Sequence, residues 1–154
     1  MSNTKYFEKQ LKFGKDLEIR VLNFMKKLYP ESMGYSVVDS SNIIRCPITN
    51  LPYPDITIYK KGKIFRFYDA KNKRKLYMEN FRPSFSVCEK LWHYRKFSKK
   101  YKAPVFLIFE HPYFLNHYYQ IIVDAKPWYC NKVQNQYGEY MMAFDLNQVK
   151  RITL

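Results

Sequence analysis

PDITIYKKGKIFRFYDAK, residues 54–71, alternates apolar and polar side chains on both sides of Gly62. Two such runs hinged at a glycine predict a β-hairpin. The loop decides which side chains share a face, because a slip of one residue inverts every side chain. A two-residue loop of Lys61 and Gly62 would set Asp55 and Asp69 on opposite faces of the sheet. A turn over Lys60 and Lys61, with Gly62 in a left-handed bulge position, instead pairs Tyr59 with Lys63. Asp55 then faces Phe67, and Asp69 and Lys71 join Asp55 on one face. Glycine stands where that arrangement needs it, so the bulged turn is the one expected.

Outward from the hairpin, residues 4–29 read as a long helix closed by Pro30. Phe7, Leu11, Gly14, Glu18, Leu22 and Met25 recur at three- and four-residue steps, which places Glu18 on or beside the apolar stripe. A carboxylate there is costly unless it has a partner such as a metal ion. Residues 34–39 predict a short strand. A second helix is expected from about Ser84 to Tyr101, with Ser84 or Ser86 as its cap and Val87, Leu91, Tyr94 and Tyr101 buried. Residues 104–110 form a nearly unbroken apolar run, as in a strand covered on both faces. Further strands are expected at 118–124 and 140–144. The order α-β-β-β-α-β-β indicates an α/β fold with a central mixed sheet flanked by helices. No repeat or low-complexity linker divides the chain, so one domain over 1–154 is expected, with a core of about 4–124 and an extension at 125–154.

The chain of 154 residues carries 27 Lys and Arg against 13 acids, a formal net charge of +14. Such an excess strains the compact state by self-repulsion unless a polyanion screens it, and nucleic acid is the usual polyanion. An anionic membrane is the rival, but no apolar run approaches the roughly 18 residues that span a bilayer. The opening MSNTKYFEKQ has no secretory apolar stretch. Cys46, Cys88 and Cys130 stand apart without disulfide or zinc spacing, which fits reduced thiols and a cytoplasmic location.

On the shared hairpin face, Asp55 and Asp69 would repel each other unless they held a divalent cation. Oxygen ligands favour Mg²⁺ or Mn²⁺ over zinc. The carbonyl of Ala70 would be a further ligand, and Glu18 would complete the shell from the helix above. Lys71 beside the ion could orient the attacking water or offset charge on a phosphorane-like transition state. An acid-x-base triplet is cheap in so charged a chain, about two being expected by chance. Asp124-Ala125-Lys126, preceded by Glu110, repeats the pattern. The first site is preferred because it sits on a glycine-turn hairpin, follows Pro54 and has Glu18 upstream.

These residues, Pro54-Asp55, Asp69-Ala70-Lys71 and the preceding GKDLE of residues 14–18, resemble the PD-(D/E)xK nuclease superfamily of restriction-type endonucleases and Holliday-junction resolvases. The resemblance covers roughly residues 10–110 and implies a restriction-endonuclease-like core. It implies that Glu18, Asp55 and Asp69 bind metal and that Lys71 assists the hydrolytic water. Size and the helical glutamate look most like the archaeal and viral resolvase branch, which implies a homodimer acting on branched DNA. Three basic clusters are expected to grip phosphates: Lys60, Lys61 and Lys63; Lys73, Arg74 and Lys75; and a third containing Lys99 and Lys100. None carries base-reading chemistry, so recognition by backbone or shape is expected, on DNA or RNA. The contrasting expectation is an inert nucleic-acid-binding or virion protein that keeps the nuclease fold.

Overall fold

The first helix, α1 (Asn3–Leu28), ends just before Pro30, whose ring cannot continue a helix. Its buried residues are Leu17, Val21, Phe24 and Met25. The apolar stripe is therefore rotated from the expected one: Leu11 is 53% exposed, and Glu18 and Leu22 flank the buried row. In the first turns every residue with a described side chain from Thr4 to Lys12 is exposed. Periodicity there does not mark a buried row among them.

A computed structural model describes residues 3–43, 45–71, 84–86, 88–110, 116–126, 129–134, 140–144 and 146–154. After α1 come β1 (Tyr35–Asp39), β2 (Ile56–Lys60), β3 (Lys63–Ala70), β4 (Ser84–Ser86) and α2 (Cys88–Tyr101). Then follow β5 (Val105–Glu110), β6 (Tyr118–Ile122), β7 (Tyr129–Gln134), β8 (Tyr140–Ala143) and β9 (Lys150–Ile152). The principal sheet has the order β1-β2-β3-β5-β6-β9. Its central β3–β5 pair is parallel and every other pair is antiparallel, so the sheet is mixed, as expected. The expected cap residues Ser84 and Ser86 lie instead in β4, which pairs with β8, and the helix begins at Cys88. The tail contributes β9 to the edge of the principal sheet, beside β6.

The hairpin differs from expectation in an instructive way. Its loop is the two-residue one, Lys60 facing Lys63, with positive φ at both Lys61 (50°) and Gly62 (78°). The register then shifts between Ile58 and Tyr59: Tyr59 faces Ile64, but Ile58 faces Arg66. The extra residue, Phe65, is a bulge within β3 rather than at the turn. Beyond it Ile56 faces Tyr68. Carried one residue further, the register brings Asp55 opposite Asp69. The shared face is thus reached by a different displacement of one residue.

The sheet is covered on both faces. Phe67, Val105, Leu107 and Phe109 pack with Leu91, Tyr94 and Phe97 of α2. Ile56, Ile58, Tyr68 and Ile108 pack on the other face with Leu17, Val21, Phe24 and Met25 of α1. The two-sided burial explains the unbroken apolar run in β5. Asp69 follows Phe67 by two residues and so belongs to the α2 side.

A two-residue hairpin loop with positive φ at both positions favours Asn-Gly. Lys61→Asn should therefore raise the unfolding free energy in urea by about 0.5 kcal/mol. A lower midpoint would contradict the left-handed conformation at Lys61.

Candidate active site

Asp69 ends the buried part of β3 and is 1% exposed, so it is not a solvated strand end. Tyr94 and Lys71 are among the groups that meet its carboxylate. The Tyr94 hydroxyl of α2 donates to Oδ1 at 2.7 Å, and Lys71 Nζ lies 2.7 Å from Oδ2. A buried carboxylate is tolerable only when so engaged. Burial, then the facing Asp69, push the Tyr94 phenol far above the ordinary tyrosine range. It therefore remains a proton donor at any working pH.

Asp55 lies just before β2, and its Oδ2 accepts the backbone N–H of Ala70 at 2.8 Å. That bond ties one carboxylate to the segment bearing the other. Ser40 fixes the backbone from behind: its N–H donates to the Asp55 carbonyl at 2.7 Å and its hydroxyl to that of Pro54 at 2.6 Å. The Ser40 hydroxyl also lies 3.0 Å from that of Thr57. All three polar residues sit where a proline and a chain reversal would otherwise leave buried groups unpaired.

Glu18 approaches from α1. It lines a cleft of about 200 Å³ together with Lys15, Asp39, Ser41, Asn42 and Asp55. Its neighbour Arg20 does not turn to it but makes a two-point ion pair with Glu110 of β5, at 2.8 and 3.2 Å. This pair fastens α1 across the sheet and orients the turn that carries Glu18.

The acids therefore meet in two overlapping pairs, Asp55 with Asp69 across the hairpin and Glu18 with Asp55 in the cleft. Among the described residues, no three His, Cys, Asp or Glu side chains converge closely enough to hold one ion. The single shell of Glu18, Asp55 and Asp69 expected around a cation is not drawn together as such. What the site offers is hard oxygen donors with an amine beside them, a donor set suited to Mg²⁺ or Mn²⁺.

The rival acid-x-base pattern is taken apart by the fold. Glu110 faces Tyr118 at one end of the β5–β6 hairpin, whereas Asp124 lies past its other end. Six residues of strand separate their registers, about 20 Å. Glu110 is in any case engaged by Arg20.

Of the basic residues, Lys73, Arg74 and Lys75 lie outside the described residues. Lys60, Lys61 and Lys63 are exposed at the hairpin tip, not beside the acids. Lys63 stands six strand residues from Asp69, about 20 Å away. Lys99 and Lys100 are exposed in the last turn of α2, beyond Tyr94. Two residues at the site were missed in the sequence. Asp39 is a strand-end acid whose carboxylate accepts from the backbone N–H and hydroxyl of Ser41 while it lines the cleft with Asp55, and Tyr94 belongs to the buried stripe of α2 and yet reaches Asp69.

No family model and no curated protein sequence matches the chain. Its mixed α/β fold is similar to that of a solved structure. The structure concerned is Archaeoglobus fulgidus Hjc, a Holliday junction resolvase from an archaeal hyperthermophile. The match has a TM-score of 0.53 at 12% identity and covers 87% of this chain and 89% of that one. The expected α/β fold, a mixed sheet flanked by helices, is thus shared with that structure.

Tyr94→Phe should destabilise the chain by about 1–3 kcal/mol in denaturant, because Asp69 Oδ1 loses its donor in a dry setting. A change within a few tenths would show that this hydrogen bond has little weight.

Proposed function

We propose that the chain is a metal-dependent endonuclease that hydrolyses phosphodiester bonds in DNA, with branched DNA as its preferred substrate. The observation that carries this reading is the placement of Asp55 and Asp69 on one face with Lys71 2.7 Å from Asp69. The shared fold with an archaeal resolvase supports it. A buried Asp–Lys–Tyr set could by itself be a structural network. Asp55, turned toward the same segment, and Glu18, lining the adjoining cleft, add negative charge that a divalent cation would offset.

In this reading Asp55, Asp69 and the Ala70 carbonyl hold Mg²⁺ or Mn²⁺, with Glu18 reaching in from α1. The ion, when bound, would polarise a phosphoryl oxygen and lower the pKa of water. Lys71 has two duties. With no cation present its ammonium offsets the Asp69 charge; with substrate it stands where it can orient water or neutralise the developing charge. Tyr94 keeps the Asp69 carboxylate from rotating and, as a permanent donor, takes no proton from the reaction. Ser40 holds the Pro54–Asp55 backbone against the first strand. Lys73, Arg74 and Lys75, together with the exposed Lys99 and Lys100, bind the phosphate backbone without reading bases. A homodimer would present two such sites to a branched substrate.

The test is a cleavage panel over duplex, single-stranded, flap and four-way DNA with Mg²⁺ or Mn²⁺. Asp69→Asn and Lys71→Ala should each lower cleavage by about 100-fold or more while binding persists. Thermal melts must show both variants folded, because removing one member of a buried ion pair costs about 3–5 kcal/mol. Undiminished cleavage by folded variants would remove the site assignment. Binding by the unaltered chain with no cleavage of any substrate would leave an inert nucleic-acid-binding protein.

A further inference from the structure

At the end of the sheet far from the acids, three segments bring six cations together. They are the last turn of α1 (Lys26, Lys27), the start of β1, and the β2–β3 hairpin (Lys60, Lys61, Lys63, Arg66). Lys61 N–H donates to the Gly34 carbonyl at 2.9 Å, and Tyr35 faces Lys60 in the sheet, which locks the hairpin tip to the turn after α1. The one acid in residues 26–35 and 60–66 is the exposed Glu31.

Two of these cations, Lys60 and Arg66, are placed by aromatic rings rather than by carboxylates. Lys60 Nζ lies over Tyr35 and Phe65, 5.3 and 5.6 Å from the ring centroids. Arg66 stacks on Phe65 and Phe106, at 4.8 and 5.4 Å, and donates to the Tyr29 hydroxyl at 3.2 Å. Ring faces orient a cation without neutralising it, so the charge stays available to an anion. Lys26 and Lys27 have an ordinary use in complementing the helix C-terminus. The hairpin lysines have no acid among residues 60–66 to offset them, and their crowding is relieved when a polyanion lies over them.

The position of this patch is informative. The rings under it pack on the α1 face of the sheet, and the cleft of Glu18 and Asp55 opens beside α1 as well. Eight residues of α1 separate Glu18 from Lys26, about 12 Å. Five residues of strand separate Asp55 from Lys60, about 17 Å. At 3.4 Å per base pair, that longer span is about five base pairs of duplex.

We infer that this aromatic-backed basic patch is a second nucleic-acid contact, gripping the phosphates of a duplex arm about five base pairs from the acidic cleft. The inference rests on the proposed function for what lies in the cleft, but binding can be read without cleavage. The patch sets a minimum arm length: an arm too short to reach it gains nothing from it.

The experiment measures binding of four-way DNA by anisotropy, with Ca²⁺ replacing Mg²⁺. Arms of about four or about twelve base pairs are each closed by a hairpin loop. The unaltered chain should bind the long-armed DNA about tenfold more tightly. Lys26→Gln/Lys60→Gln should erase that advantage and flatten the slope of log affinity against log salt by about two. Lys126→Gln/Lys150→Gln, which removes equal charge elsewhere, should keep the advantage. Equal affinity for both arm lengths in the unaltered chain would overturn the inference. So would equal losses in the two double variants, which would mark a diffuse field, or an undiminished advantage in Lys26→Gln/Lys60→Gln. If the patch behaves as inferred but no DNA is cut, the nuclease reading falls and the patch stands. If DNA is cut and arm length is without effect, the reverse holds.

Discussion

The candidate site depends on one surplus residue. Phe65, the bulge in β3, displaces the strand by one place between the hairpin tip and the acids. Without it a two-residue loop would turn Asp69 away from Asp55, and the Ala70 N–H could not meet the Asp55 carboxylate as it does at 2.8 Å. Bulges persist where they re-aim a side chain, and here the gain is a pair of carboxylates on one face. The same ring of Phe65 also underlies Lys60 and Arg66. One residue thus ties the geometry of the acids to the surface at the opposite end of the hairpin.

Around that constraint the fold supplies support from both faces. From the α2 side, the fully buried Tyr94 orients Asp69. On the other side Arg20 reaches across to Glu110 and settles α1 against the sheet two residues from Glu18. From the edge, Ser40 pins the Pro54–Asp55 backbone. The functional side chains are few, and the two aspartates are each held by a partner distant in sequence, Asp55 by Ala70 and Asp69 by Tyr94. Such indirect support is what a site needs when fractions of an ångström decide its chemistry.

Much of this was readable in the sequence, and the limits have physical causes. The hairpin, the buried strand β5 and the two helices follow from local periodicity, which survives because both faces of the sheet are covered. The loop of the hairpin was misread, since a glycine suits either a two-residue turn or a bulged one. The shared face was right because either reading displaces the strand by one residue. Periodicity failed at the start of α1, where the described side chains from Thr4 to Lys12 are exposed. It also failed at Ser84–Ser86, where pairing with β8 overrides a capping signal. Asp39 and Tyr94 are not marked as site residues by the local pattern, which makes Asp39 a turn acid bonded to Ser41 and Tyr94 a core aromatic. Their meaning comes from Asp55 and Asp69, sixteen and twenty-five residues further along or behind. The rival Glu110 and Asp124 show the converse, a plausible motif that the antiparallel register pulls apart.

The last strand, β9, covers the outer edge of β6 through three residues, Lys150 to Ile152. Strand β6 reads YYQII, a β-prone run with no charge of its own. Uncovered, its row of backbone donors and acceptors would be a template for another chain. The two cations of β9, Lys150 and Arg151, both exposed, make the new edge a poor template in turn. The closing residues of the sequence therefore act as a guard against self-assembly into fibrils or amorphous aggregates. A tag or fusion that pulled β9 away would be felt first as lost solubility, before any change at the acids.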